Sequence, residues 1–326
     1  MTIREIAERA GVSKAAVSRY LNQGYLSAEK SERIRQVIEE TGYIPSQQAR
    51  NLRTGRTHTI GVVLPRIDSE SISRIVAGIG QVLHARGFQL LLTSTDNDVH
   101  RELAALEYFK NNQADGVLFI ATILTPAHKT IIESMPVPVV MIGQRADYLS
   151  CVYHDDRAAA RELTALLLRG RQHPGMLYVT TQDAAAGRDR LDGFYDALAA
   201  AGFAPADAAV EQADFSIEAG YDTARVLFTR APETDALLCA TDSIALGAMK
   251  YLYEQGRLTA VSIAGIGHSR LSSIVTPRLT TAHYHYRTSG AEAAKMLLQI
   301  IDSEIDLKKS LQLGYRIVPQ ETTLEV

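Results

Sequence analysis

The first 45 residues set apolar side chains at helical spacing in three short stretches. Ile3, Ile6 and Ala7 share one face of the first. Thr2 precedes it and Glu5 follows three residues later, which predicts a capping box. Ala10-Gly11-Val12 interrupts the pattern with a glycine that tolerates left-handed backbone. A second helix is predicted after Ser13, its N-cap, with Ala16, Val17 and Tyr20 facing inward. A third is expected to be capped by Ser27, to carry Ile34, Val37 and Ile38 as its inner stripe, and to end at Gly42. These three residues with Ile6, Val12 and Val17 can form one small core, marginal by itself.

From residue 59 the period changes. TIGVVLP is a short, nearly continuous apolar run, as in a parallel strand buried on both faces. The pattern then predicts a helix over 72–85, the strand FQLLLTS, a helix over 101–111, the strand ADGVLFIA, a helix over 129–134 and the strand VPVVMIG. RADYLSCVYHD reads as a loop. A second series follows: helix 157–168, strand GMLYVTT, helices 189–201 and 217–228, strand DALLCA, helix 243–255, strand VSIAGIG, the segment LTTAHYHY and a last helix over 288–301. Two sets of βα units imply doubly wound, parallel sheets.

Composition changes this picture little; charge changes it more. A chain of 326 residues suggests two or three domains, and 46% hydrophobic residues is ample for their cores. No apolar run is long enough to span a membrane, and the polar first helix is unlike a signal peptide. Cys151 and Cys239 are far apart, without metal-ligand spacing, and are expected to be buried small hydrophobes. Residues 1–58 hold ten Lys and Arg against six Asp and Glu, a balance of +4; the remainder hold 24 against 31, a balance of −7. A basic head on an acidic body suits a nucleic-acid-binding domain joined to a sensor.

The outer side of the second helix sharpens that reading. Lys14, Ala15, Ser18, Arg19 and Asn22 make a face that donates hydrogen bonds, is net positive and has no carboxylate. Such a face suits phosphates and base edges, and helix-turn-helix proteins lay it in the major groove. An ordinary helical hairpin with a solvated basic side is the plain alternative. The stretch from Thr2 to Asn22 resembles the headpiece of the LacI/GalR family of bacterial transcriptional regulators. It meets T-[IL]-x-[DE]-[IV]-A and G-V-S-x-x-[TA]-V-S-R-x-L-N at every constrained position. The resemblance implies an all-α helix-turn-helix headpiece over 1–45, a hinge over 46–58, and an α/β core over 59–326. That core is two-lobed and like a periplasmic binding protein, with a first lobe of about 59–153 and 284–309 and a second of about 154–283 and 310–326. Operator contacts are implied for Thr2, Ile3, Ser13, Lys14, Ala15, Ser18, Arg19, Asn22 and Tyr25.

YIPSQQARNL reads on composition as a flexible linker with a short helical stretch over 47–52. It resembles the family's hinge helix, which folds on the operator. That likeness implies Leu52 wedged between base steps of the minor groove, Ala49 at the close approach of two hinges, and Arg50 and Arg53 at phosphates or groove.

In the core the resemblance implies an effector held between the lobes, at the carboxyl ends of the strands. Arg190 in RLDGF is similar to the family's R-x-x-G-[FW], whose arginine reaches the effector; a surface arginine beside a helix is the alternative. Phe215 matches a residue that closes over the ligand, with core packing as competitor. Asp242 in ATDSIALG either lines the pocket or caps the next helix. Ser71 and Ile72 stand where many relatives carry aromatics, and Thr95 and Asp96 end a strand at the same cleft. The family's G-[YF]-D-[DN] reads G-I-G-H here, so Gly267 replaces a carboxylate and His268 follows it. A cleft lacking that carboxylate beside Arg190 is expected to welcome an anion such as a sugar phosphate.

No Walker-type loop, G-x-G-x-x-G after a strand, H-E-x-x-H or G-x-S-x-G is present, so an enzyme is not expected. His283 and His285 alternate onto one face that could hold a metal, but two residues do not make a site. Neither cofactor nor metal is expected. The expected partners are double-stranded operator DNA, a small-molecule effector (sugar or sugar phosphate) and a second copy of the chain. The setting is the bacterial cytoplasm, without a membrane. The chain ends soon after its last core strand without a leucine-heptad tail, which favours a dimer over a tetramer. The resemblance implies a repressor of a carbohydrate-utilisation operon, released from a palindromic operator when a sugar or sugar phosphate binds between the core lobes. A corepressor-dependent repressor responding to a purine or other small metabolite uses the same parts with opposite sign. A plain solute-binding sensor shares the core but lacks the basic head.

Overall fold

A computed structural model describes residues 1–21, 24–43, 56–112, 114–303 and 308–323. The chain divides into two compact units, Met1–His58 and Thr59–Val326. The expected helix over 47–52, with Ala49, Arg50 and Leu52, and the expected contact Asn22 lie outside the described residues.

The first unit holds α1 (Ile3–Arg9), α2 (Lys14–Leu21) and α3 (Ala28–Thr41). The predicted capping box closes α1: Glu5 N–H donates to Thr2 Oγ1 at 3.3 Å and Thr2 N–H to Glu5 Oε2 at 2.9 Å. Gly11 turns the chain into α2 at φ +64°, a region that favours glycine. Ile6, Ala7, Ala10, Val17, Ile34 and Tyr43 form the buried core, flanked by Val12, Val37 and Ile38.

The second unit contains two six-stranded sheets. Its first lobe comprises β1 (Thr59–Leu64), α4 (Glu70–Ala85), β2 (Gln89–Ser94), α5 (Val99–Asn111), β3 (Gly116–Ile120), α6 (Pro126–Glu133), β4 (Val139–Ile142) and β5 (Ser150–His154). The second lobe comprises α7 (Asp156–Leu167), β6 (Pro174–Tyr178), a π-helix (Ala184–Asp189), α8 (Arg190–Ala200), β7 (Ala209–Gln212), α9 (Ile217–Arg230), β8 (Ala236–Cys239), α10 (Asp242–Glu254), β9 (Ser262–Ile266) and β10 (Thr280–Tyr284). The chain returns to the first lobe with α11 (Tyr286–Ser303) and β11 (Ser310–Leu313), then ends in the second with β12 (Tyr315–Val318).

The first sheet runs β11-β5-β4-β3-β1-β2, with every pairing parallel. The second runs β12-β10-β9-β8-β6-β7, parallel except that β12 is antiparallel to β10. Three expectations change here. The segment RADYLSCVYHD is not all loop, because Ser150–His154 inserts as β5 between β4 and β11. Strand β7 carries no strong apolar pattern, since it is a half-buried edge. The last lobe boundary falls at Gly314 rather than after 309: β11 pairs with β5 of the first lobe, and only β12 reaches β10.

Both sheets are covered by helices, as parallel sheets require. Where α4 meets α11, Gly78 lies against the Arg287 carbonyl and Gly290 against that of Ile75; a Cβ on either would sit 1.9 or 2.1 Å from that oxygen. The two helices can approach this closely only through glycine. Cys151 and Cys239 are buried and free.

Candidate functional site

In the first unit, the outer face of α2 is open. Lys14, Ala15 and Arg19 are exposed, Ser18 is half-buried, and Ala16 and Val17 are buried beneath them. Ser13 is exposed, and its hydroxyl accepts the Ala16 N–H at 3.2 Å. Tyr25, just past the helix, is 94% exposed. Thr2 is exposed at the start of α1, whereas Ile3 is partly buried against the core. On helices α1 and α3, Arg4, Arg33 and Arg35 each pair with a carboxylate one turn away, in Arg4–Glu8, Arg33–Glu29 and Arg35–Glu39. Helix α2 contains no carboxylate, so Lys14 and Arg19 have no acidic neighbour on their own helix.

In the second unit a cavity of about 440 Å³ opens between the lobes at the carboxyl ends of both sheets. Chains in doubly wound folds place ligands at this crevice because the strand ends and helix N-termini converge there. Arg190, the first residue of α8, is the central cation. Its Nε donates to Asp156 Oδ1 at 2.7 Å, another guanidinium nitrogen donates to the Ala240 carbonyl, and its plane lies 5.4 Å from the Tyr284 ring centre. Tyr284 Oη donates to the same Asp156 oxygen at 2.9 Å. Burial alone would lower the basicity of Arg190; the Asp156 carboxylate outweighs this and holds it above the usual range.

Asp183 caps the π-helix that leads into Arg190, accepting the N–H groups of Ala185 at 3.0 Å and Ala186 at 2.8 Å. Burial pushes its carboxyl up to about 6. Asp242 accepts the Thr281 hydroxyl at 2.6 Å and the Ser269 N–H at 2.6 Å, and burial raises it despite both. His154 stacks on Tyr284 with centroids 4.5 Å apart and planes 9° off parallel, and burial holds its imidazole down at about 4. Hydrogen bonds cross the cleft at two of its edges. Glu70 of α4 accepts the Arg270 N–H at 3.1 Å while Arg74 donates to the His268 carbonyl at 2.9 Å. At the other edge Gln144 Nε2 donates to Asp183 Oδ1 at 3.3 Å.

Comparison with known proteins gives two family matches. Residues 2–46 match the model for bacterial regulatory proteins of the lacI family, and residues 57–319 that for periplasmic binding proteins and the sugar binding domain of the LacI family. The chain belongs to the LacI family of bacterial regulatory proteins. One relative, the sucrose operon repressor of Staphylococcus xylosus, is 34% identical over 93% of this chain and 94% of its own length. A transcriptional regulator CelR–cellobiose complex is 27% identical with a TM-score of 0.75, covering 99% of both chains. A lac repressor dimer bound to operator and the anti-inducer ONPF covers 100% of this chain and 99% of that one with a TM-score of 0.90; at 24% identity it speaks for the fold alone.

Of the LacI-pattern residues expected at the cleft, Ser71, Ile72, Arg190, Phe215 and Asp242 line the cavity. Arg190 is thus no surface arginine. Asp242 opens α10 but does not cap it, since Thr241 does so through the Ile244 N–H at 3.3 Å. Asp96 is a correction: it points outward, 68% exposed, and pairs with Arg101 at 2.5 Å, while the next residue, Asn97, lines the cavity. His268 is another. Its backbone turns at φ +50° and its ring faces His283, with Nδ1 atoms 3.0 Å apart, behind the lining residues Gly267 and Ser269. The charges along the lining bear on the expected anion preference. Arg190 is already neutralised by Asp156, and Asp68, Glu70, Asp156, Asp183 and Asp242 outnumber Arg66, Arg74 and Arg190 along the lining.

Asp156, Tyr284, Gln144 and His154 escaped the sequence reading. Asp156 left one usable signal. In His154-Asp155-Asp156 the helix needs only one cap, and Asp155 supplies it through the Ala158 N–H at 3.1 Å. A second carboxylate at that point has another task.

Proposed function

We propose that this chain is a cytoplasmic, non-enzymatic repressor of a carbohydrate-utilisation operon, released from a palindromic operator when a neutral sugar binds between its lobes. The observation that carries the reading is the presence in one chain of an exposed, carboxylate-free helix face and a cavity with polar lining residues between two lobes. A homodimer sets two α2 helices in successive major grooves. Lys14, Ala15 and Arg19 read base edges there, with Thr2, Ile3, Ser13, Ser18, Asn22 and Tyr25 at the backbone and flanks. Ala49, Arg50 and Leu52 carry the minor-groove contact. A sugar changes the lobe arrangement, and a coupling of about 1–3 kcal/mol suffices for a useful switch.

The sugar class rests on two supports. One relative is named for the sucrose operon, and another is solved as a complex with cellobiose. The lining is net acidic, with its central arginine already paired, so hydroxyl groups suit it better than phosphate. The test is fluorescence anisotropy on an operator fragment selected from random DNA, with sucrose, cellobiose, ribose and their phosphorylated counterparts titrated in. Release by a neutral sugar is expected. Tighter binding with a purine would make the protein a corepressor-dependent regulator. Absence of specific DNA binding would overturn the reading altogether.

A further inference from the structure

Two buried polar atoms at the floor of the cleft have no hydrogen-bond partner among the described residues: Gln144 Oε1 and His154 Nε2. Both side chains line the cavity and both residues are more than nine-tenths buried, at 3% and 7% exposure. Native folds rarely leave such atoms unpaired, and those that remain unpaired call for an explanation.

Both come from the same end of the first sheet. Ile142 of β4 pairs with Val152 of β5, and Gly143 N–H continues the ladder to the Val152 carbonyl at 2.9 Å. Gln144 lies two residues past the end of β4 and His154 is the last residue of β5, so both stand at the carboxyl end of adjacent strands and line the same cavity. Each is also locked in orientation. Gln144 Nε2 donates to the Ala121 carbonyl at 3.3 Å, to the Thr122 carbonyl and to Asp183 Oδ1 at 3.3 Å. Flipping the amide would press its oxygen against three acceptors, so Oε1 is held as a lone acceptor. The His154 ring is clamped flat on Tyr284, with Tyr286 edge-on at 5.6 Å.

Resting on the reading of the cleft as a sugar site, we propose that Gln144 and His154 form a first-lobe subsite that takes two neighbouring hydroxyl groups of the ligand. The amide oxygen requires a donor. The imidazole nitrogen takes either a donor or an acceptor according to its tautomer, and a hydroxyl can be both. A phosphate or carboxylate would set acceptor against acceptor at Gln144, so the subsite selects the unmodified hydroxyl end of a sugar. Burial keeps His154 neutral at neutral pH, in keeping with a hydroxyl partner rather than an anion.

The experiment uses the full chain on its selected operator fragment, with release by sucrose, cellobiose or ribose followed by anisotropy. His154→Phe preserves a ring on Tyr284 and removes both nitrogens; Gln144→Met preserves length and removes the amide. For the sugar that releases the wild type best, each variant is expected to raise the half-effect concentration about tenfold or more. His154→Phe is expected to melt, without sugar, at the wild-type temperature or above it, because an unpaired buried nitrogen is gone; a purely structural histidine would lower it. Half-effect concentrations equal to wild type in both variants overturn the subsite alone. A wild type that binds operator but responds to no sugar overturns the sugar reading and the subsite with it. If His154→Phe melts far below wild type, the structural role stands for that residue and Gln144→Met decides the rest.

Discussion

The face of α2 and the cleft between the lobes handle charge in opposite ways. Lys14 and Arg19 stand in water on eight consecutive residues that contain no acid. Arg190 is buried to 6% exposure and bonded to a carboxylate that lies 34 residues away in sequence. The open face keeps its cations available for a polyanion, at the mercy of salt. The cleft neutralises its central cation internally, through Asp156. Affinity at the first is therefore tuned by ionic strength, and at the second by protonation and packing.

The largest effect is expected where that contrast is sharpest. Arg190→Ala leaves Asp156 buried without its cation, which costs about 3–5 kcal/mol. Urea unfolding should show the loss, and the sugar response should vanish with it. Wild-type stability in this variant would mean that the pair is solvated after all. Arg19→Ala should instead leave urea unfolding untouched and weaken operator binding by about 1–3 kcal/mol if the guanidinium reads a guanine. Anisotropy with the consensus and with single-base variants separates that role from a phosphate contact, which would weaken all sequences alike.

Protonation gives the next comparison. His154 is held at about 4, below its ordinary 6.5, so the unfolded chain takes up a proton before the folded one does. Stability therefore falls as pH drops from about 6.5 towards 4. Asp183 works the other way: raised to about 6 from 3.8, it favours the folded state as pH falls across that window. Melting curves from pH 7 to 5 should show a shallower acid loss in His154→Phe and a steeper one in Asp183→Asn. Parallel curves in all three proteins would contradict the assigned burial. The smallest effect is on slope: Lys14→Ala should reduce the log–log salt dependence of operator binding by about one if it meets a phosphate. Raising salt should leave the half-effect concentration of a neutral sugar nearly unchanged.

The head was legible because its structure is local. Thr2 with Glu5, Gly11 and Ser13 are all capping and turn chemistry within four residues of the helices that they delimit, and the structure uses each as read. Most strands of the core were equally plain, being short apolar runs between turn signals. The failures have physical causes. Strand β5 is half of a loop in composition, and its role comes from being enclosed by β4 and β11. Asp96 and His268 each sit one residue from the cavity in left-handed backbone at φ +55° and +50°, which rotates the side chain away and presents its neighbour. Periodicity carries no information about such a turn in a non-glycine residue.

By itself the sequence determined the helix-turn-helix, the two series of βα units and the position of Arg190, since each depends on spacing within a few residues or on a contiguous motif. Tertiary structure alone decided that Arg190 is neutralised by Asp156, that Gln144 reaches Asp183 across the lobes, and that β11 and β12 part company at Gly314. These facts turn on which distant segments meet at the carboxyl ends of two sheets. Ion pairing and desolvation act over a few ångströms in space, whatever the separation along the chain.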